Sequence, residues 1–140
     1  MKGEILALIS ALLWGIAPLF DKYVVSTGVS PYLANLIRVS GALLFLAVVT
    51  FIAKDYSSAK LTVKSIAYLL IAGTIASGVA MIVYFQALKL TQASRVVPIT
   101  SIYPLFTVIF SALLLGENIS PKVVVGAVLI VIGLSLVCGE

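Results

Sequence analysis

Five long apolar segments, separated by short polar ones, constrain the fold of this chain more than any other feature of its sequence. The segments cover residues 5–23, 31–53, 65–88, 96–115 and 122–137, to within a few residues at each end. A helix needs about 20 mostly apolar residues to cross the hydrocarbon core of a bilayer. Strands of a membrane β-barrel are shorter, about 10 residues, and alternate in polarity, unlike these segments. The sequence therefore predicts an all-α membrane protein with about five transmembrane helices.

The composition indicates the same environment. Of the 140 residues, 62% are hydrophobic and 10% are charged, compared with about 45–50% and about 25% in soluble domains. A small soluble domain leaves too much of its surface exposed to hide so much apolar area. Met1 and Lys2 resemble the start of a signal peptide, but the apolar segments that follow favour a retained first helix. We expect one multi-pass domain over residues 1–140, embedded in the plasma membrane.

Residue usage argues against several function classes. The net charge of +4 is compatible with nucleic-acid binding, but the nine Lys and Arg are scattered singly between apolar runs, as membrane topology requires. The sequence contains no histidine, the commonest general base and metal ligand. Cys138 is its only cysteine, so no internal disulfide can form. We therefore expect no nucleic-acid partner, no metal, no cofactor and no catalytic site.

Two Ser-Pro pairs stand out at the starts of the second and fifth segments. Ser30 and Ser120 are predicted helix caps, each followed by a proline suited to the first helical position.

Arg38 lies about 10 Å into the second helix, counted at 1.5 Å per residue. A charge inside lipid is costly and is a functional candidate by default. Arg38 could contact an anionic substrate, pair with Asp21 or extend to the headgroups, and the sequence leaves these alternatives open.

A polar stripe is predicted on the fourth helix. Thr100, Tyr103, Thr107 and Ser111 follow one another at spacings of three and four residues, which places them on one helix face. Such hydroxyls can bond to the backbone of their own or a neighbouring helix, or they can line a water-accessible cavity. We expect a cavity, because the stripe is continuous.

The third and first helices add further cavity candidates. Ser77 and Tyr84 are seven residues apart on the third helix, with Gln86 nearby. Trp14 lies inside the first helix rather than at its edge, so it is a candidate cavity wall and not an obvious interface anchor.

Several local patterns also occur in a characteristic order along the whole chain. They are Trp14-Gly15, Lys22, Pro31, Arg38, Tyr84-Phe85-Gln86-Ala87-Leu88, Ala93-Ser94, Pro98, Pro104 and Leu115-Gly116-Glu117. This order resembles the EamA family of the drug/metabolite transporter superfamily. The resemblance implies an exporter of small metabolites, and it makes Lys22 a functional candidate.

The resemblance also implies an assembly. Transporters of that superfamily commonly hold two five-helix units in inverted orientation, and this chain corresponds to one unit, or half of an inverted-repeat bundle. The working form would then be a homodimer, including an antiparallel one, or a heterodimer with a second half-transporter, with alternating access to a small-molecule substrate. The candidate cavity residues are Trp14, Lys22, Arg38, Ser77, Tyr84, Gln86, Thr100, Tyr103, Thr107 and Ser111.

The positive charges give the predicted topology almost no preferred orientation. One side of the membrane would carry Lys2, Lys54, Lys60, Lys64 and Lys122, and the other side Lys22, Arg38, Lys89 and Arg95. An excess of Lys and Arg on one side sets the orientation of a membrane protein. With five such residues on one side and four on the other, the chain could insert in both orientations.

Two alternatives remain at this point. A small-multidrug-resistance-like exporter would use a glutamate in the middle of its first helix, where residues 10–15 of this sequence hold no acid. A non-transporting membrane subunit of a larger complex would have the same composition.

Overall fold

A computed structural model describes residues 2–54 and 61–138, across which every regular element is helical. The elements are α1 (Lys2–Ser26), α2 (Pro31–Ala53), α3 (Val63–Gly73), a first π-turn (Thr74–Val79), α4 (Ala80–Leu90), α5 (Ala93–Thr100), α6 (Tyr103–Phe110), a second π-turn (Ser111–Leu115) and α7 (Pro121–Cys138). The described part does not include Lys60 or the side chain of Lys2, which were counted among the positive charges. It also does not include the side chain of Cys138, the only cysteine of the sequence.

Four helical segments are long and apolar enough to cross a membrane. They are Gly3–Ser26, Pro31–Ala53, Val63–Leu90 and Ala93–Leu115, and a shorter apolar helix covers Pro121–Val137. Most of their large apolar side chains are exposed on the protein surface, which is the arrangement that lipid, and not water, favours. The predicted all-α membrane protein is confirmed.

The predicted helix starts are confirmed as well. Ser30 Oγ accepts a hydrogen bond from the backbone N–H three residues on, at 3.3 Å, and Pro31 opens α2. Ser120 Oγ does the same at 3.4 Å, and Pro121 opens α7. Each cap satisfies one of the backbone donors that a helix start leaves unpaired, which matters most next to a bilayer.

The first compact unit ends at Leu90 and is built on α1, α2 and α4, with α4 in contact with both of the others. Phe85 and Leu88, almost one turn apart on α4, are its two fully buried large side chains. Val25 of α1 and Ala34 of α2 are also buried. The core therefore lies near the end of α1, the start of α2 and the end of α4.

The second compact unit begins at Thr91, and in it α5 and α6 both contact α7. The segment expected as one helix over 96–115 is instead two α-helices followed by a π-turn. Pro104 lacks an N–H, so the carbonyl of Thr100 loses its usual partner, and α5 ends at that residue. The backbone turns at Ser101 and Ile102 before α6 begins.

The second π-turn is followed directly by Gly116, which has a φ of +68°. Residues with a side chain rarely adopt this left-handed conformation, whereas glycine does so without strain. The N–H of the next residue, Glu117, donates to the carbonyl of Ser111 at 3.2 Å. The Leu-Gly-Glu motif thus closes the helix end through its backbone.

Candidate functional site

The most buried charge among the described residues belongs to Asp21, near the end of α1. Its residue is 8% exposed, and its Oδ1 lies 3.6 Å from Nε of Arg38 on α2. The Arg38 side chain is 40% exposed, so part of it remains accessible. Of the alternatives that the sequence left open for Arg38, the ion pair with Asp21 is therefore present. It joins α1 to α2 across the short turn between them.

Asn35 forms a second connection, between α2 and the first π-turn. Its Nδ2 donates to the backbone carbonyl of Ser77 at 2.8 Å, and the residue is 6% exposed. A π-turn leaves a backbone carbonyl without its normal helical donor, and a polar side chain of a neighbouring helix is the usual substitute in a membrane. The other amide atom, Asn35 Oδ1, is buried without a hydrogen-bond partner.

Lys22 connects α1 to the end of α4. Its Nζ donates to the backbone carbonyl of Leu88 at 2.6 Å. The last carbonyls of a helix lack intrahelical donors and carry the negative end of the helix dipole, so a lysine is favoured there. Lys22 is thus half-buried and anchored at the end of the core formed by Phe85 and Leu88.

Tyr84 completes this group. It is half-buried, its ring packs edge-on against Phe85 at 6.3 Å between centroids, and it lies within electrostatic range of Asp21 and Arg38. We refer below to Asp21, Lys22, Asn35, Arg38 and Tyr84 as the polar cluster.

The cluster combines a cation with accessible surface, a buried carboxylate and an orphaned amide oxygen. A solute carboxylate or phosphate could compete with Asp21 for Arg38, since a guanidinium has five donors in a planar fork. A solute N–H or O–H could satisfy Asn35 Oδ1 if the helices moved apart. Competition for Arg38, which is already paired with Asp21, would let a solute change which helices are held together.

The other candidates of the first unit lie differently. Trp14 is 67% exposed, and the Gln86 side chain is also exposed. Ser77 contributes its backbone carbonyl to the Asn35 hydrogen bond, while its own side chain is exposed. Of the sequence candidates in this unit, the structure therefore brings Lys22, Arg38 and Tyr84 into the polar cluster.

The candidates of the second unit keep their hydroxyls on their own backbone. Thr100 donates to the carbonyl of Val97 at 2.9 Å, and Thr107 donates to that of Tyr103 at 3.2 Å. Ser111 donates to a carbonyl three residues earlier, also at 3.2 Å. Tyr103 is 55% exposed. These residues lie on three successive segments, so the regular helical spacing behind the predicted stripe does not hold along its whole length.

Asn35 was not among the residues singled out from the sequence. A signal was present, since an amide four residues after Pro31 and three before Arg38 lies inside an apolar segment and shares a helix face with that arginine. Its partner, a backbone carbonyl within the first π-turn, leaves no mark in the sequence.

The Asp21–Arg38 pair yields a testable prediction about stability. Asp21→Asn and Arg38→Gln should each lower the free energy of unfolding, because each leaves a charge without its partner. The double variant should lose less than the sum of the two, with a coupling of about 1–2 kcal/mol. Unfolding in mixed micelles measures all four proteins, and Lys89→Gln, an exposed charge on α4, is the control. Strictly additive losses would show that the two side chains do not interact.

Comparison of the sequence with known proteins assigns this chain to a family. The model of the EamA-like transporter family matches residues 1–139. The uncharacterized transporter YoaV of Bacillus subtilis is 31% identical over 132 residues, covering 94% of this chain and 45% of that protein. The uncharacterized protein PA1977 of Pseudomonas aeruginosa is 29% identical over 142 residues, covering 98% and 46%. The uncharacterized transporter YvbV of B. subtilis is 27% identical over 135 residues, covering 96% and 44%.

The chain thus spans about half the length of the curated relatives it matches. No solved structure matches it at a significant level. The family match extends over nearly the whole chain and agrees with the resemblance found in the sequence motifs. The chain belongs to the EamA-like transporter family.

Proposed function

We propose that this chain is a five-helix unit of a plasma-membrane exporter of small metabolites, which works as a dimer of such units by alternating access. Family membership and relatives named as transporters support membrane transport. The observation that carries the proposal is the polar cluster. Burying an ion pair and an orphaned amide oxygen is costly in lipid, and such groups in membrane helices commonly mark solute or ion pathways.

Arg38 is the proposed solute contact, with Lys22 and Tyr84 beside it. The exposed part of the Arg38 side chain can bind an anionic group of the solute, while Nε stays near Asp21. Trp14, Ser77 and Gln86 remain proposed cavity residues of the first unit, and the stripe Thr100, Tyr103, Thr107 and Ser111 remains the proposed contribution of the second. Ser111 is half-buried and the other six are exposed, which is compatible with facing either a cavity or lipid.

The π-turns are the proposed points of flexibility. A π-turn can return to α-helix by passing its extra residue along the helix, which rotates everything beyond it. The first π-turn lies directly before α4, the helix that carries Tyr84 and the carbonyl that binds Lys22. Breaking the Asn35–Ser77 hydrogen bond would free this turn to move, so solute binding at the cluster could be coupled to a helix shift.

The dimer is the assembly that the family resemblance implies, since transporters of that superfamily commonly pair two five-helix units in inverted orientation. A second copy can supply the remaining helices, and the near-equal charge on the two sides permits an antiparallel arrangement. A heterodimer with a second half-transporter is the other form of the same proposal.

Transport by purified protein in liposomes tests the function. A thermal-stability screen of amino acids, nucleosides and organic cations first identifies the solute. Arg38→Lys should then reduce its transport at least tenfold without unfolding the protein, because an ammonium keeps the charge but not the planar fork. Lys89→Arg, an exposed basic residue on α4, is the matched control and should transport normally.

Two results would contradict this proposal. Full transport by Arg38→Ala would remove Arg38 from the solute path. Absence of transport for every solute that stabilises the protein would favour a non-transporting subunit.

Labelling of Cys138 tests the antiparallel dimer, because this is the only cysteine in the sequence and it is close to the last residue. A membrane-impermeant maleimide on intact cells should label about half of the Cys138 that reacts after permeabilisation, since both orientations would be present. A Cys138→Ser variant gives the background. Complete labelling, or none, would mean a single orientation and would exclude an antiparallel homodimer.

A further inference from the structure

A groove in the second unit has a polar end and an apolar continuation. The polar part has a volume of about 580 Å³ and is lined by Thr91, Gln92, Ser94, Arg95, Leu136 and Val137. A second groove of about 360 Å³ continues along α5 and α7 and shares Val137 with the first. It is lined mainly by apolar groups, including Pro98, Ile130 and Leu134, and also by Gly133.

Arg95 gives the polar end its charge. It is the only charged side chain that lines either groove among the described residues, and it is half-buried rather than extended into solvent. Ser94 Oγ and Gln92 Oε1 lie 3.4 Å apart in the same wall. The charge on this surface therefore complements an anion with several acceptor oxygens.

The position of the charge relative to the membrane defines the ligand further. Arg95 lies in the first turn of α5, and the apolar groove follows α5 and α7 into the spanning segment. From Val137 to Ile130 the groove extends about 10 Å along α7, at 1.5 Å per residue. An occupant would thus place an anionic group at the membrane surface and an apolar chain within the hydrocarbon layer.

We propose that this groove binds an anionic phospholipid, with its phosphate at Arg95 and an acyl chain along the wall formed by Pro98, Gly133 and Leu134. The lipid would fill the seam between α5 and α7, and it would stabilise the second unit independently of any transported solute. A basic side chain close to an anionic membrane surface contributes enough binding energy for about a fivefold preference.

Lipid binding by the purified full chain tests the proposal. Native mass spectrometry with dioleoyl phosphatidylglycerol and dioleoyl phosphatidylcholine compares a net anionic with a zwitterionic headgroup on identical acyl chains. The wild type should bind phosphatidylglycerol about fivefold more tightly. Arg95→Gln should reduce this preference to within twofold, and Arg95→Lys should keep most of it.

Two matched controls separate the groove from general effects. Lys89→Gln removes a positive charge six residues earlier, outside the groove, and should keep the preference. A Cβ added at Gly133 meets no atom within 4 Å, so Gly133→Leu should fill the apolar part without a backbone clash and weaken both lipids severalfold. Gly126→Leu, on the same helix and equally open at its Cβ, should leave the affinities unchanged.

Four results would overturn the proposal. An unchanged preference in Arg95→Gln would show that Arg95 does not bind the headgroup, and an equal loss in Lys89→Gln would assign the preference to overall charge. Equally tight binding of sn-glycerol 3-phosphate, which lacks acyl chains, would indicate a site for soluble anions. A shift of Gly133→Leu towards monomer with unchanged lipid affinity would make the groove an interface between copies of the chain.

Discussion

The absence of water in the bilayer core is the constraint on which the first unit depends. Lipid offers no hydrogen bonds, so polar groups in the spanning segments need partners within the protein. Asp21 has Arg38, the Ser77 carbonyl has Asn35, and the Leu88 carbonyl has Lys22. Hydrophobicity does not drive helices together in lipid, and few large side chains are fully buried here. Polar connections therefore specify which helices of the unit meet.

These connections also lie beside the irregular parts of the backbone. The Asn35 amide holds a carbonyl of the first π-turn, and Lys22 holds the end of the helix that follows it. We propose that the first π-turn can convert to a fully α-helical state, since π-turns inside α-helices frequently lie at functional sites. A few polar contacts can decide between the two states, which suits the proposed alternating access. The same side chains would then serve both stability and transport.

The sequence predicted the parts of the fold that depend on local chemistry. Apolar length located the spanning helices, and serine followed by proline located the starts of α2 and α7, because cap and ring geometry act within one turn. The π-turns were not predicted, since the apolar pattern of residues 65–88 and 96–115 is uninterrupted. The break between α5 and α6 does have a sequence signal, because Pro104 cannot donate the backbone hydrogen bond of a continuous helix. Hydroxyl periodicity predicted a cavity stripe, which stays a prediction, and the hydroxyls of Thr100 and Thr107 donate to carbonyls of their own helices. Asn35 escaped notice because its partner is a backbone carbonyl far away in sequence.

Protection of the polar cluster by the solute is the most direct test of its proposed role. In a Cys138→Ser background, Tyr84→Cys places a thiol at the half-buried position beside Asp21 and Arg38. The thiol should react with a small aqueous reagent, and a saturating concentration of the transported solute should slow that reaction at least fivefold. Lys89→Cys, exposed on the same helix, should react at the same rate with and without solute. Equal rates at Tyr84→Cys in both conditions would show that the solute does not bind at the cluster.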